Sequence, residues 1–132
     1  MLGLPAVLLA ASLAAGRAPA PAPPGTRTVP ITIHFSKFDP VSIDAAPGQT
    51  VRFVIRNRDP IDHEFILGDD LVQQIHERGT EAVHPPKPGE VSVPAGTTVA
   101  TTYTFGRPGD LIFGCHLPGH YSYGMRGTVT VG

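Results

Sequence analysis

Cys115, His120 and Met125 stand at even intervals, four residues between each pair, in the stretch from Leu111 to Gly132. Cys115 is the only cysteine, Met125 the only methionine besides Met1, and His116 and His120 are two of six histidines. Pro118-Gly119 and Gly124 lie between the three as turn formers. A thiol, an imidazole and a thioether on one folded loop read as a metal site. Sulfur donors hold reduced copper and imidazole nitrogen accommodates oxidised copper, so a donor set of this kind can pass single electrons.

Such a loop needs a strand to deliver the cysteine and turns to bring the other donors back beside it. Leu111 to Phe113 supply the apolar approach, Pro-Gly the first turn, and Thr128 to Val131 a strand after the methionine. Along the approach Leu111, Phe113 and Cys115 share one face, and Ile112, Gly114 and His116 the other. Cys115 is thus expected inward, and His116 outward and not a ligand. Upstream, in Asp59-Pro-Ile-Asp-His-Glu-Phe-Ile-Leu, alternation places His63 with Phe65 and Leu67, leaving Glu64 and Ile66 on the other face. An inward histidine at a strand start is costly unless hydrogen-bonded or bound to something. The loop lacks one nitrogen donor, which makes His63 the expected fourth ligand.

The words Cys-His-Leu-Pro-Gly-His-Tyr and Gly-Met-Arg-Gly-Thr-Val-Thr-Val resemble those of bacterial periplasmic cupredoxins, the blue copper proteins. The Cys-x4-His-x4-Met spacing is similar to that of the rusticyanin and phytocyanin branches rather than of plastocyanin. The pattern Phe38-x-Pro-x-x-Ile, Pro47-Gly48 and Val51-x-Phe-x-Ile-x-Asn57 resembles the second and third strands of the same sandwich, so the resemblance runs from about Pro30 to Gly132. It implies one type 1 copper per chain, held by His63, Cys115 and His120 in a trigonal set with Met125 as a long axial ligand. It further implies that the solvent-side edge of His120 is the electron port, with Leu117, Pro118, Tyr121 and Tyr123 forming an apolar patch for brief encounters with redox partners.

Composition agrees with a small β domain. The 132 residues suffice for one domain with a core, and 15 glycines and 15 prolines among many threonines and valines favour strands and turns over long helices. Ten basic against eleven acidic side chains argue against nucleic acid and an electrostatically held membrane surface. The expected fold is all-β, an antiparallel Greek-key sandwich of the cupredoxin type with seven to eight strands and one short helix. The helix is expected over Gly68 to Gly79, capped by an aspartate, with Leu71, Val72 and Ile75 as its inner face. His34, on a polar strand face, reads as solvated. His76 and His84 read as surface residues, the alternative being an auxiliary copper-loading site.

Residues 1–18, apolar from Leu2 to Ala15 but with no basic residue ahead of that run, are expected to be a cleaved export signal, or an uncleaved anchor that would tether the chain to a membrane. Residues 19–28 are expected to form a Pro/Ala-rich disordered tether, and 29–132 the domain. An unpaired cysteine in an exported chain fits a ligand. The sequence thus points to a monomeric, periplasmic or secreted one-electron carrier, not an enzyme. Copper trafficking or resistance with the same ligands is the alternative, and a metal-free sandwich module the minor one.

Overall fold

Alternation becomes one-sided burial in β1 (Arg27–His34), where Val29, Ile31 and Ile33 face inward, and in β4 (Thr50–Asn57), where Val51, Phe53, Ile55 and Asn57 do. The computed structural model describes residues 16–21, 25–79 and 85–132. The expected signal or anchor therefore falls almost wholly outside the described residues. Of the expected tether, Ala20 is hydrogen-bonded through its carbonyl to Arg52.

Between them come β2 (Lys37–Asp39) and β3 (Ser42–Ala45), and after them β5 (His63–Gly68), α1 (Asp70–Glu77), β6 (Glu90–Val93), β7 (Thr98–Thr104), β8 (Gly109–Gly114), α2 (His120–Tyr123) and β9 (Arg126–Val131). One sheet has the order β2-β1-β4-β7 and the other β3-β9-β8-β5-β6. The result is the expected β-sandwich, with nine strands rather than seven to eight and a second, four-residue helix among the described residues. Its sheets are mixed rather than antiparallel throughout, because β1 pairs with β4 and β3 with β9 in parallel. Parallel neighbours need a long crossover. The chain provides it by leaving the first sheet through β3 before returning as β4.

Four phenylalanines join the layers. Phe65 and Phe113, from the five-stranded sheet, stack at 5.4 Å, and Phe38 from the other sheet meets both edge-on at 6.0 and 5.3 Å. Phe53 closes on Phe65 at 5.3 Å. This core lies directly below the ends of β5 and β8, where the candidate ligands emerge.

Helix α1 corrects the expectation for its inner face. Asp69 caps it as anticipated, accepting the Val72 N–H at 3.0 Å, but Leu71 and Ile75 are exposed, whereas Gln73 and His76 are buried. The reason lies in the surface it covers. Gln73 donates its amide to the carbonyls of Ile66 and Ile112 at 3.1 and 2.8 Å, tying β5 to β8 from outside. Buried acceptors outweigh an apolar stripe, since a polar group left without a partner costs about 1–3 kcal/mol. By covering that side, α1 leaves every residue of β5 buried, Glu64 and Ile66 included.

Candidate metal centre

Asn57 at the end of β4 shapes the approach to His63. Its buried amide donates to the carbonyls of Ile61 and Val93, at 2.8 and 3.0 Å, while its oxygen accepts the Asp59 N–H. The loop so pinned enters β5 with the His63 ring inward, 2% exposed.

On β8, Gly114 precedes Cys115 because nothing larger fits: a Cβ there would lie 2.7 Å from the Tyr121 ring. The chain then turns at Leu117, whose carbonyl accepts the His120 N–H at 2.9 Å, and makes the single turn of α2. Gly119 and Gly124, with φ of +80° and +109°, bracket that turn in the left-handed region that suits glycine. The Met125 N–H donates to His120 O and the Cys115 N–H to Met125 O, at 3.0 and 3.1 Å. These backbone bonds close the loop and draw Cys115, His120 and Met125 to one end of the sandwich. Cys115 and Met125 are fully buried, and His120 is half-buried.

Nδ1 of His63 lies 3.2 Å from Nδ1 of His120 and 3.9 Å from Sγ of Cys115, and His120 Nδ1 lies 3.3 Å from that sulfur. A point roughly 2 Å from all three atoms exists in their plane, close to the about 2.0–2.1 Å that zinc, a first-row ion, takes to nitrogen and the about 2.3 Å it takes to sulfur. One thiolate and two imidazoles converging at this spacing fit copper. Among the described residues, this is the group of His, Cys, Asp or Glu side chains close enough to share an ion.

Burial pushes the Cys115 thiol up to about 11, although the N–H groups of Leu117 and Glu64 point at the sulfur and favour its thiolate, while the carboxylates of Glu64 and Glu77 oppose it. The two N–H donors are the kind of contact that stabilises a bound thiolate. Burial likewise lowers His120, assisted by the neighbouring His63 and opposed by Glu64 and Asp59. A neutral imidazole is the form that binds metal.

The other histidines stand away from the cluster. His34 is exposed, its Nδ1 3.4 Å from Asp59. His116 points to the opposite face of β8, as alternation required, yet not into solvent. Beneath α1 its Nδ1 meets Glu77 and its Nε2 meets Gln73, both at 2.6 Å, and its ring stacks on Tyr121 at 4.4 Å. His76, expected at the surface, is buried, with Nδ1 2.8 Å from Val72 O and Nε2 3.2 Å from Glu90. His84 lies outside the described residues. Of the anticipated patch, Tyr123 is exposed with Lys37 over its ring at 4.2 Å, whereas Tyr121 is half-buried against Gly114 and Arg126.

Sequence reasoning missed Asp59, whose carboxylate meets His63, and Gln73 and Glu77, which hold His116. An aspartate four residues before a ligand histidine is visible in the sequence, but so is Asp62. That residue instead accepts the Ala95 N–H.

A two-layer sandwich with a Cys-His-His cluster at one end defines a cupredoxin. The family model described as "Copper binding proteins, plastocyanin/azurin family" matches residues 29–132, and the chain belongs to that family. It is 36% identical to the copper-resistant cuproprotein CopI of Rubrivivax gelatinosus, over 86% of this chain and 71% of that protein. With the CopI of Pseudomonas aeruginosa it shares 30% identity, over 86% of this chain and 80% of that one. The solved structure of auracyanin B superposes with a TM-score of 0.70 at 25% identity, covering 86% of this chain and 93% of that one. The cofactor is one copper per chain, and His63, Cys115 and His120 are its candidate ligands.

Proposed function

We propose that the chain is an exported, monomeric type 1 copper protein that carries single electrons between transient protein partners and performs no enzymatic step of its own. The observation that carries this reading is the enclosure of the cluster. Two donors are buried, and His120 alone of the three is half-buried, which suits electron passage through one imidazole edge better than exchange of the metal. Copper supplies the one-electron couple. The chain supplies a cage whose donors are fixed by β5, β8 and the backbone bonds of the ligand loop, so little has to rearrange between oxidation states. Met125, in this reading, would supply a weak thioether donor that tunes the potential. Exposed Tyr123 and Pro118 and half-buried Leu117 flank His120 in the loop and offer a small apolar contact for a weak encounter.

A second reading, copper handling in metal resistance, is favoured by the CopI relatives. Spectra test the common part. Cupric ion added to the purified domain should produce an intense thiolate charge-transfer band with narrow copper hyperfine splitting, absent from Cys115→Ser. In Met125→Leu, loss of a weak donor should keep the band and raise the reduction potential. Competition with a cuprous chelator separates the readings: an electron carrier keeps its copper over many redox cycles, whereas a handler surrenders it quickly.

A further inference from the structure

The two nitrogens of His63 have different neighbours. Nδ1 faces the sulfur of Cys115 and Nδ1 of His120, while Nε2 lies 2.8 Å from Oδ2 of Asp59, a side chain that is itself buried. An ionised carboxylate only accepts hydrogen bonds, so Nε2 must carry the hydrogen. A neutral ring protonated there presents a bare Nδ1 to the cluster, as a metal ligand requires.

Asp59 is held firmly in place to do this. Phe35 and Ser36, both in the left-handed region with φ of +50° and +53°, aim their N–H groups at Oδ1 and Oδ2 at 2.7 and 2.8 Å. Its own N–H donates to Asn57 at 2.9 Å, and His34 approaches Oδ1 at 3.4 Å. Burial raises its carboxyl, but the hydrogen bonds from Ser36, His63 and Phe35 outweigh that and hold it below the usual carboxylate range. Backbone donors that cannot swing away therefore fix the carboxylate on the far side of the ligand ring.

We propose that Asp59 is a positioning residue for the metal centre, its carboxylate locking His63 as the Nε2–H tautomer and its charge biasing the centre toward oxidised copper. The charge half rests on the copper reading above; the tautomer half concerns the protein before copper is added. Asn at position 59 would keep the shape but remove the charge and replace one acceptor with an NH2 group. Facing His63 and Ser36, that group would meet two donors. Turned the other way, the amide oxygen accepts from both while the NH2 faces the Phe35 N–H. A neutral acceptor, however, holds the Nε2 hydrogen less strongly than a carboxylate, so in either orientation the ring hydrogen is freer to move to Nδ1, the nitrogen that copper needs.

The test begins with long-range proton–nitrogen correlation spectra of copper-free wild-type protein, where His63 should show a protonated Nε2 and an unprotonated Nδ1. In Asp59→Asn the Nδ1–H form should become populated and cupric affinity should fall by about 10–100-fold. At a fixed ambient potential the loaded variant should also hold about tenfold more reduced copper relative to oxidised, equivalent to 59 mV for a one-electron couple. A wild-type His63 protonated on Nδ1 would overturn the proposal, and this reading needs no substitution to fold. So would a folded Asp59→Asn that keeps the wild-type tautomer and potential and loses only thermal stability. If wild-type protein forms no thiolate–copper band, the copper reading and the charge half fall, and the tautomer measurement still decides the rest.

Discussion

A buried thiol makes the copper-free protein sensitive to alkali. Cys115 lies fully buried and ionises near about 11 in the fold, against 9.0 when unfolded, so the folded chain binds the proton more tightly. The associated stability is present below pH 9 and is lost as pH rises through 11. At 1.36 kcal/mol per pH unit the loss is about 2–3 kcal/mol. Urea denaturation of copper-free protein at pH 8.5 and 11 should show that loss, and Cys115→Ala should lack it. His120 acts at the other end of the range. Its lowered pKa means that the unfolded chain takes up a proton below about 6.5 before the folded chain does, so stability falls as pH drops below that point.

At the scale of elements, α1 shows polar satisfaction overriding amphipathic pattern. Removing the Gln73 side chain would leave the Ile66 and Ile112 carbonyls and the His116 ring short of a partner. Gln73→Ala is expected to destabilise the fold by about 1–3 kcal/mol. Leu71→Ala, on the exposed face, should stay within about 0.5 kcal/mol of wild type. Comparison of the two by chemical denaturation checks which face of α1 is structural. The helix is a lid over the outer side of β5 and β8, and it shields the hydrogen bond from the His116 N–H to Glu64, one residue from Cys115.

Across the whole molecule the metal centre and the core share elements. β5 and β8 carry Phe65 and Phe113 into the stacked aromatic cluster and His63 and Cys115 into the site, so binding at the site is coupled to folding. Cupric ion at a thousandfold excess over its dissociation constant should add about 4 kcal/mol to the stability of the fold. For a domain of about 100 residues each kcal/mol moves the melting temperature by about 4–8 °C. Thermal melts with and without copper should show a large upward shift for wild type and little for Cys115→Ala.

The strands, the ligand loop and the inward setting of Cys115 and His63 were legible in the sequence, because each depends on spacing within a few residues. A period of two sets the face of a side chain, and Pro-Gly or Gly sets a turn, whatever the rest of the chain does. Only the tertiary structure decided what covers the second face of β5, why α1 turns Gln73 and His76 inward, and why β1 and β3 take parallel partners. It also decided that Asp59 rather than Asp62 reaches His63. Those outcomes depend on which polar groups distant segments bring together and bury, and local periodicity carries no record of that.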